Sequence, residues 1–493
     1  MIELIPKGSI VEQVCAFLQA RSVEAYLVGG CVRDWLLGRS SHDIDFAVAG
    51  DAIKLARQVA DRMGGAFVLL DQERGTGRVV TRGEDGQRLF IDFAQLQGDD
   101  IIADLSRRDF TANAIAVAVA DEESVIDPYD GRRDLQLGLV RAVSETAFQD
   151  DPLRTLRAVR IAAEMEASIE QGTERLLRRA AHLITNVSAE RVRDELAKIL
   201  ALPGTAQNLR YLDELGILVV IIPELKTLKG VEQSEPHYLD VFEHSLETVS
   251  QLEAVIEALD GCDGGGELSL VPLLLSPFSR QLSAHLSQPV SGDRSRLTLL
   301  KLVALLHDLG KPATKSFDDE GGIHFYGHER EGAEVVGATF RRLRFGGNEV
   351  SLAKTIVANH MRPCLLADQE VVTRRAVYRF FRDTGDAGVD TLLLYLADYL
   401  ATWGPDLRMA RWRRGMEFVA SMLADYYERH QQVISPPKLV NGHDLMEEFG
   451  LEEGPRIGEL LEAVREAQAA GEVRTQGEAL ALVKELLTQG IKE

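Results

Sequence analysis

The chain has 493 residues, of which 45% are hydrophobic and 27% charged, and its formal net charge is −22. This is the composition of a globular protein that is long enough for two to four domains. The negative charge argues against broad, nonspecific polyanion binding, but arginine clusters such as "RLLRRAAH" and "TRRAVYRFFR" leave room for a local basic track or for solvated helix faces.

Three sequence features concern the cellular compartment. The first segment, "MIELIPKGSIVEQVCAFLQA", carries charged residues and does not resemble a signal peptide. The apolar stretches are too short to span a membrane. Four scattered cysteines, Cys15, Cys31, Cys262 and Cys364, match no zinc or redox spacing. We therefore expect a protein of the reducing cytoplasm.

Residues 1–140 alternate β-branched runs with helical stretches. Strands are predicted in "EAYLVGG", "HDIDFAVAG", "GAFVLLD", "GRVVTRG" and "RLFIDFAQ". Helices are predicted in "SIVEQVCAFLQARS" and "DAIKLARQVADRMGG", and glycines close the second. The pattern predicts an α/β domain.

The remainder is predicted to be almost continuously helical. Within it, "DGCDGGGELS" and "SPFSRQLSAHLSQPVSGDRS" predict loops or insertions, and "ISPPKLVNGHDL" separates a last helical segment. We therefore divide the chain into an α/β head (1–140), a helical neck (141–225), a second helical domain (226–430) and a helical tail (431–493).

The first candidate site is in "LVGGCVRDWLLGRSSHDIDFAVAG". Asp43 and Asp45 lie two residues apart in a predicted strand, so both carboxylates face one side. Such close charges repel unless a cation lies between them, and a pair of this kind can bridge two Mg²⁺ ions for phosphoryl transfer. Gly29 and Gly30 would let backbone N–H groups approach a phosphate, and Arg33 adds positive charge.

Four segments resemble, in order, the motifs of class II tRNA nucleotidyltransferases and bacterial poly(A) polymerases. They are "LVGGCVRDWLLG…HDIDFAV", "RRDFTANAIAV", "DPYDGRRDL" and "DDPLRTLRAVRIAAEM". The resemblance implies a polymerase-β-like nucleotidyltransferase head with Asp43 and Asp45 as catalytic Mg²⁺ ligands. Asp92 in "FIDFAQ" is either a third carboxylate or a polar residue at a strand end.

The same resemblance implies a set of nucleotide-binding residues. They are Gly29, Gly30, Arg33, Arg108, Asp109, Asn113, Asp151, Arg154, Arg157 and Arg160. Asp109 could instead cap a helix, while "DPYDGRRDL" is interpreted as a largely structural turn between head and neck. "SAERVRDELAKIL" resembles the last motif of the family, which supports the neck helices.

In this family the E-D-x-x-R motif serves as an amino-acid template for the incoming base. Asp151 and Arg154 occupy its last two positions, and Asp150 replaces the glutamate. A carboxylate only accepts hydrogen bonds and a guanidinium only donates them, so the pair fits cytosine and adenine and mismatches uracil and guanine. The alternative is that Asp151 is a helix N-cap followed by Pro152 at the first helical position.

A second set of residues resembles the HD phosphohydrolase domain, with histidines and aspartates in the order H…HD…H…H…D. The implied metal ligands are His244, His307, Asp308, His328, His360 and Asp398. His324 is a rival for the third histidine, although the "GHE" context favours His328. Mixed nitrogen and oxygen ligands accept several divalent transition metals, here Ni, Mn, Co or Fe.

The resemblance implies an enzyme that adds C or A of the CCA terminus to the 3′ end of tRNA from CTP and ATP and releases pyrophosphate. Only "LQGDDIIADLS" separates "FIDFAQ" from "RRDFTANA". Family members that add the whole CCA usually carry a longer loop there, so the short segment favours CC addition. Poly(A) synthesis, or an HD phosphohydrolase with an accessory head, are the alternatives; we expect neither DNA nor a membrane as a partner.

Overall fold

The computed structural model describes residue 5 and residues 8–83, 86–261 and 265–489, so Cys262 lies outside the described residues. The chain forms two compact units. Unit 1 comprises Met1–Glu195 and Tyr211–Ile221, and unit 2 comprises Leu196–Arg210 and Ile222–Glu493. None of the helices in the described parts combines the length and apolar character of a membrane span.

Unit 1 is built on a seven-stranded mixed sheet. Its strands are β1 (Ala25–Val28), β2 (Asp43–Val48), β3 (Ala66–Asp71), β4 (Thr76–Arg82), β5 (Arg88–Gln95), β6 (Ala116–Ala118) and β7 (Asp121–Ile126). The order is β3-β4-β5-β2-β1-β6-β7. Only β2 and β5 are parallel among these neighbours, which aligns them residue by residue. The five strands predicted in the head are confirmed, whereas β6 and β7 were not predicted.

The helices of unit 1 pack around this sheet and continue beyond it. They are α1 (Ile10–Gln19), α2 (Gly30–Leu36), α3 (Ala52–Met63), α4 (Ile101–Ser106), α5 (Gly131–Gln136), α6 (Ala147–Asp150), α7 (Arg154–Met165), α8 (Gln171–Ala180) and α11 (Leu218–Ile221). Both predicted helices, α1 and α3, are confirmed, and Gly64 ends α3 in the left-handed conformation, as its glycine signal indicated. A short parallel pair, β8 (Leu139–Val140) and β9 (Ser168–Ile169), follows the head.

The core of the head lies between the sheet and the helices α1 and α3. Phe46 on β2 stacks on Phe93 of β5 with ring centroids 5.1 Å apart, and both rings are fully buried. Gly131 at the start of α5 packs so closely that a Cβ atom would lie 2.2 Å from the carbonyl oxygen of Thr111. Asp127 accepts hydrogen bonds from the backbone of Gly131 and Arg132, which supports the structural interpretation of "DPYDGRRDL".

Unit 2 is helical apart from two short hairpins. Helices α9 (Ala189–Ala201) and α10 (Thr205–Glu214) have residues in both units. The others are α12 (Val241–Leu259), α13 (Leu270–Leu275), α14 (Ser279–Leu286), α15 (Arg296–Leu306), α16 (Lys311–Thr314), α17 (His328–Arg342), α18 (Gly347–Asn359), α19 (Met361–Ala367), α20 (Arg374–Thr384), α21 (Ala387–Trp403), α22 (Met409–Tyr427), α23 (Gly442–Phe449), α24 (Pro455–Ala470) and α25 (Gln476–Gln489). The hairpins pair β10 (Pro289–Ser291) with β11 (Arg294–Ser295) and β12 (Ser316–Phe317) with β13 (Ile323–His324).

One loop prediction is wrong. The segment "SPFSRQLSAHLSQPVSGDRS" forms α14 and the β10–β11 hairpin. Leu282 and Leu286, one helical turn apart, are buried, and His285 between them shares a 3.1 Å hydrogen bond with Asp390. The many serines and glutamines concealed this short amphipathic pattern, which tertiary contacts stabilise.

Candidate active sites

Three carboxylates gather where β2 and β5 run in parallel. Asp43 and Asp45 are two residues apart on β2, and Asp45 is directly in register with Asp92 on β5. Side chains at i and i+2 face the same side of a strand, so the predicted shared face of Asp43 and Asp45 is present. Oxygen ligands of this kind suit Mg²⁺, and the donor set fits the expected ion.

Arg78 on β4, which the sequence did not single out, compensates this charge. It lies opposite Asp92 in the antiparallel register and donates to both carboxylate oxygens at 2.7 and 2.8 Å. The hydrogen bonds to Asp92 raise the pKa of Arg78. Asp92 is therefore already paired, while Asp43 and Asp45 are the carboxylates left for a cation.

Burial raises the pKa of Asp45 to about 6, and the negative charges of Asp92 and Asp43 add to this rise against the opposing charge of Arg108. Gly29 lies directly beside this carboxyl group. A Cβ atom at Gly29 would lie 3.1 Å from Asp45 Oδ2 and 3.2 Å from Arg108 Nη1, and its φ of +78° favours glycine. Because Gly29 has no side chain, its backbone can lie directly beside the Asp45 carboxyl group.

A buried hydrogen-bond network connects several of the predicted nucleotide-binding residues. Arg33 donates to Asn113 Oδ1 at 3.0 Å, and Asn113 donates to Asp109 at 3.0 Å. Arg157 donates to the other oxygen of Asp109 at 2.9 and 2.7 Å. Burial would raise the pKa of Asp109, but the charge of Arg157 and these hydrogen bonds outweigh it and lower that pKa.

The same contacts show whether Asp109 caps the helical turn that follows it. Asp109 Oδ1 accepts from the backbone N–H of Phe110 at 2.8 Å, and the 3₁₀ turn Thr111–Asn113 has Phe110 as its N-cap residue, without a side-chain cap. Asp109 is thus an ion-pair partner of Arg157 and not the cap of this turn. Its position is set by contacts from another helix.

Asp151 and Arg154 lie at the beginning of α7, which starts at Arg154 with Leu153 as its N-cap residue. Asp151 Oδ1 accepts from Leu153 N at 3.2 Å. Arg154 does not pair with Asp151; it donates to the carbonyl oxygens of Ala147 at 3.1 Å and Arg107 at 2.5 Å. Asp151 has an extended backbone and accepts from the N–H two residues further on, as a helix N-cap does, so the N-cap alternative is compatible with the turn that leads into α7.

A pocket of about 240 Å³ contains most of these residues. It is lined by Gly29, Gly30, Asp45, Arg107, Arg108, Asp109, Asn113, Asp151, Leu153, Arg154, Arg157 and Arg191. Arg191 was not predicted; it comes from α9 and donates to Asp151 Oδ2 at 2.8 Å. A metal-facing carboxylate and the proposed base-reading residues therefore open into one cavity.

Two predicted nucleotide-binding residues lie outside this lining. Arg160 is paired with Glu195 at 2.5 Å and with Glu164 at 2.6 Å, so it stabilises the packing of α7. Arg33 is buried, forms an ion pair with Asp34 and reaches the pocket only through Asn113. The three-residue spacing of the arginines on α7 concealed this difference, because only tertiary contacts distinguish a pocket-facing arginine from a packed one.

The second candidate site gathers six residues from separate helices of unit 2. They are His244 on α12, His307 and Asp308 after α15, His328 at the start of α17, His360 after α18 and Asp398 on α21. Two overlapping groups among them, His244–His307–Asp398 and His307–Asp308–His360, have the spacing of metal ligands. All the predicted members lie together, whereas His324 is on the β12–β13 hairpin and contacts Asp318.

Hydrogen bonds from Nδ1 hold three histidine rings of this cluster in a fixed orientation. The Nδ1 atoms of His307, His328 and His360 lie 2.8, 2.8 and 2.6 Å from backbone carbonyl oxygens, to which they donate. Each Nε2 therefore points into the cluster, as in a histidine that binds a metal. The Nε2 atoms of His328 and His360 are only 3.1 Å apart, so a single cation could contact both.

The environment of Asp308 also fits a metal site. It is buried, and neither of its oxygens accepts a hydrogen bond of good geometry from any described residue, although Lys311 Nζ lies 2.6 Å away in an ionic contact. Burial would raise the pKa of Asp308, but the charges of His307 and Lys311 hold it well below its usual range. Carboxylate oxygens and imidazole nitrogens together fit a divalent transition metal.

Four family models match successive parts of the chain. They are the poly(A) polymerase head domain (residues 25–141), the RNA- and SrmB-binding region of polymerase A (168–229), the HD domain (241–403) and tRNA nucleotidyltransferase domain 2 (368–483). The head and HD domains imply dependence on divalent metal ions.

Curated proteins match almost the entire chain. An A-adding tRNA nucleotidyltransferase of Deinococcus radiodurans is 37% identical over 93% of this chain and 95% of its own length. A CC-adding tRNA nucleotidyltransferase of Thermus thermophilus is 34% identical over 93% of both chains. A CC-adding enzyme of Geobacter sulfurreducens is 33% identical over 92% of this chain and 90% of its own.

Solved structures share the fold at lower identity. A CCA-adding enzyme in complex with CTP superimposes with a TM-score of 0.63, at 23% identity and with 99% of this chain and 97% of that chain covered. The Thermotoga maritima CCA-adding enzyme in complex with tRNA gives a TM-score of 0.57 at 22% identity, with 97% and 94% covered. The predicted architecture, a polymerase-β-like head followed by helical domains, is confirmed.

The ion pair between Asp109 and Arg157 predicts an acid-dependent stability. We expect Arg157→Ala to lower the free energy of unfolding by about 2 kcal/mol at pH 7, less than for a fully buried pair because the guanidinium is 36% exposed. The folded-state pKa of Asp109 is depressed, so this stabilisation is present above pH 3.8 and is lost as the pH falls further. Urea unfolding at pH 7 and at several pH values from 3.8 down to about 2 measures the difference, with the exposed Arg179→Ala as the matched control. A difference that stays constant over this range would contradict the ionic origin.

Proposed function

The chain belongs to the family of tRNA nucleotidyltransferases that carry a poly(A) polymerase head domain, and we propose that it adds the two C residues of the tRNA CCA terminus. It is a nucleotidyltransferase acting on the 3′ end of tRNA with CTP and ATP as the family substrates. One observation carries the proposal: Asp45 and the base-reading pair Asp151 and Arg154 line the same cavity. A nucleotide can therefore contact both sets of residues at once.

In the proposed reaction Asp43 and Asp45 hold Mg²⁺, which when bound neutralises the triphosphate and lowers the pKa of the tRNA 3′-hydroxyl. The 3′-hydroxyl gives its proton to solvent and its oxygen forms a bond to the α-phosphorus, while the bond between this phosphorus and the α,β-bridging oxygen breaks and pyrophosphate leaves. Arg108, beside Gly29 at the cavity wall, offers positive charge to the triphosphate. Positioning and charge neutralisation supply most of the catalysis.

Base selection depends on hydrogen-bond polarity. Asp151 offers acceptors to the exocyclic amine of cytosine or adenine, and Arg154 offers donors to the adjacent ring nitrogen. Two backbone carbonyls hold the Arg154 guanidinium through one N–H of each terminal nitrogen, which leaves other N–H groups for a base. Uracil and guanine present the reverse pattern, and each buried mismatch costs roughly 1–3 kcal/mol.

The proposal of CC addition rests on the short segment between β5 and α4. Only residues 96–100 connect Gln95 to Ile101, and α4 occupies the following turn, so no extended flexible loop is present in this described stretch. Family enzymes that add the complete CCA usually need a longer loop there to change from C to A. Because similar proteins include both A-adding and CC-adding enzymes, identity alone does not decide between them.

The second site is proposed to be a metal-dependent phosphohydrolase that uses Ni, Mn, Co or Fe at the six-residue cluster of unit 2. Its ligands are His244, His307, Asp308, His328, His360 and Asp398. Support comes from the three fixed imidazoles and the buried aspartate oxygens without hydrogen bonds.

The head, neck, HD domain and tail at 1–140, 141–225, 226–430 and 431–493 remain our division of the chain. A cytoplasmic location, which the scattered cysteines predict, remains part of this proposal.

The nucleotide specificity can be tested on three tRNA substrates that end before the first C, after one C and after CC. We expect CTP to be incorporated on the first two and ATP to be incorporated poorly on the third. Efficient ATP addition on all three would indicate poly(A) synthesis, and ATP addition restricted to the CC-ended tRNA would indicate an A-adding enzyme. Product length on sequencing gels gives the measurement.

The metal-binding carboxylates give a second test. Asp43→Ala and Asp45→Ala should each reduce nucleotide addition at least 1,000-fold, because two-metal catalysis needs both carboxylates. Binding of tRNA, measured by gel shift, should stay within about 3-fold of wild type because neither substitution removes a positive charge. Asp71→Ala, a change at an exposed aspartate-containing turn of the same sheet, is the matched control. Near wild-type addition by both variants would reject the assignment.

The two sites lie in separate compact units, which predicts independent activities. The double variant His307→Ala with Asp308→Ala should lose any metal-dependent phosphohydrolase activity and keep nucleotide addition within about 2-fold of wild type. Equilibrium dialysis with Ni²⁺ should show the loss of bound metal directly. A folded double variant that no longer adds nucleotides would contradict this independence.

A further inference from the structure

Arg191 on α9 reaches the base-reading end of the cavity from a distant part of the chain. Its Nη2 atom lies 2.8 Å from Asp151 Oδ2, and both residues line the cavity that contains Asp45 and Arg154. Forty positions separate the two partners along the chain, so this contact is created by the fold. The side chain of Arg191 is 52% exposed and that of Asp151 is 30% exposed, so both are accessible to a nucleotide.

The contact completes the fixation of the Asp151 carboxylate. Leu153 N holds Oδ1 at 3.2 Å, and Arg191 holds Oδ2 at 2.8 Å. With one donor on each oxygen, rotation of the carboxylate breaks at least one hydrogen bond. Each carboxylate oxygen has two acceptor positions, so Oδ2 retains one that can accept from a base amine while Arg191 stays in place.

We propose that Arg191 is a positioning residue for base selection, which holds the Asp151 carboxylate so that it presents a fixed acceptor to the exocyclic amine of the incoming base. The proposal rests on the base-selecting function proposed above and adds a residue to it. Arg154 cannot provide this fixation, because its guanidinium donates to the carbonyl oxygens of Ala147 and Arg107 instead.

The competing role for Arg191 is a direct contact with the nucleotide triphosphate or with tRNA phosphates. The two roles make different predictions. A phosphate contact contributes equally to all four nucleotides and does not need Asp151. A positioning role changes the ratio between nucleotides and disappears once Asp151 has no carboxylate, because the two residues then act through one interaction.

The test measures KM and kcat for CTP and UTP on tRNA that lacks its CCA end, for the wild type, Arg191→Ala, Asp151→Ala and the double variant. We expect Arg191→Ala to lower the CTP-over-UTP ratio of kcat/KM about 5-fold, the factor typical of a partly exposed ion pair. The change should fall mainly on KM for CTP. The double variant should match Asp151→Ala within about 2-fold.

Control variants separate charge from position. Arg191→Lys keeps the positive charge and a donor group and should restore part of the ratio, whereas Arg191→Gln, which keeps a shorter polar side chain without the charge, protects the test against misfolding of the alanine variant. Arg179→Ala removes the same charge from an exposed position of α8 and should leave the ratio unchanged. Thermal melting of every variant identifies loss of structure.

An equal loss for CTP and UTP in folded Arg191→Ala would overturn the proposal and favour a phosphate contact. A 5-fold effect that persists in the Asp151→Ala background would overturn it as well. Failure of the wild type to add any nucleotide to tRNA would instead contradict the proposed function. The outcomes are thus distinguishable.

Discussion

The repulsion among three carboxylates on neighbouring strands is the constraint around which the head is organised. Asp45 and Asp92 face each other across the parallel β2–β5 pair, and Asp43 is on the same face two residues earlier. Arg78 neutralises one of the three, and burial, to which the charges of Asp92 and Asp43 add, raises the pKa of Asp45. The ionised carboxylates therefore repel one another in the folded head, and a cation bound between them would remove this repulsion. Metal binding is thus expected to stabilise the fold of the head.

The rest of the cavity follows a related principle, in which guanidinium groups are held in place by carboxylates or carbonyls. Asp109 holds Arg157, backbone carbonyls hold Arg154, and Arg191 is held by Asp151. Arginine suits this purpose because its planar group can keep an anchoring hydrogen bond while other N–H groups remain available. Groups fixed in this way present a defined pattern of hydrogen-bond donors and acceptors, which is the basis of the base selection that we propose for this cavity.

Much of this arrangement was predictable from local sequence patterns. The five head strands and the shared face of Asp43 and Asp45 follow from short local patterns, whereas the members of the histidine cluster follow from the resemblance to the HD domain. The contacts of Arg78 and Arg191 could not be predicted in the same way, because they depend on strand register and on the approach of α9 to the beginning of α7. The position of Arg160 could not be predicted for the same reason: its helical spacing resembles that of Arg154 and Arg157, but its partners are Glu164 and Glu195.

The ligand side chains of the histidine cluster in unit 2 are held differently from the carboxylates of the head. In the head, like charges face one another and one of them is neutralised by an arginine. In the cluster, the backbone carbonyls accept hydrogen bonds from Nδ1 of His307, His328 and His360, so the Nε2 atoms point toward the buried Asp308. An oxygen-only set favours a hard ion such as Mg²⁺, whereas imidazole nitrogens favour a transition metal. The two sites therefore favour different classes of metal ion through the type of their ligands.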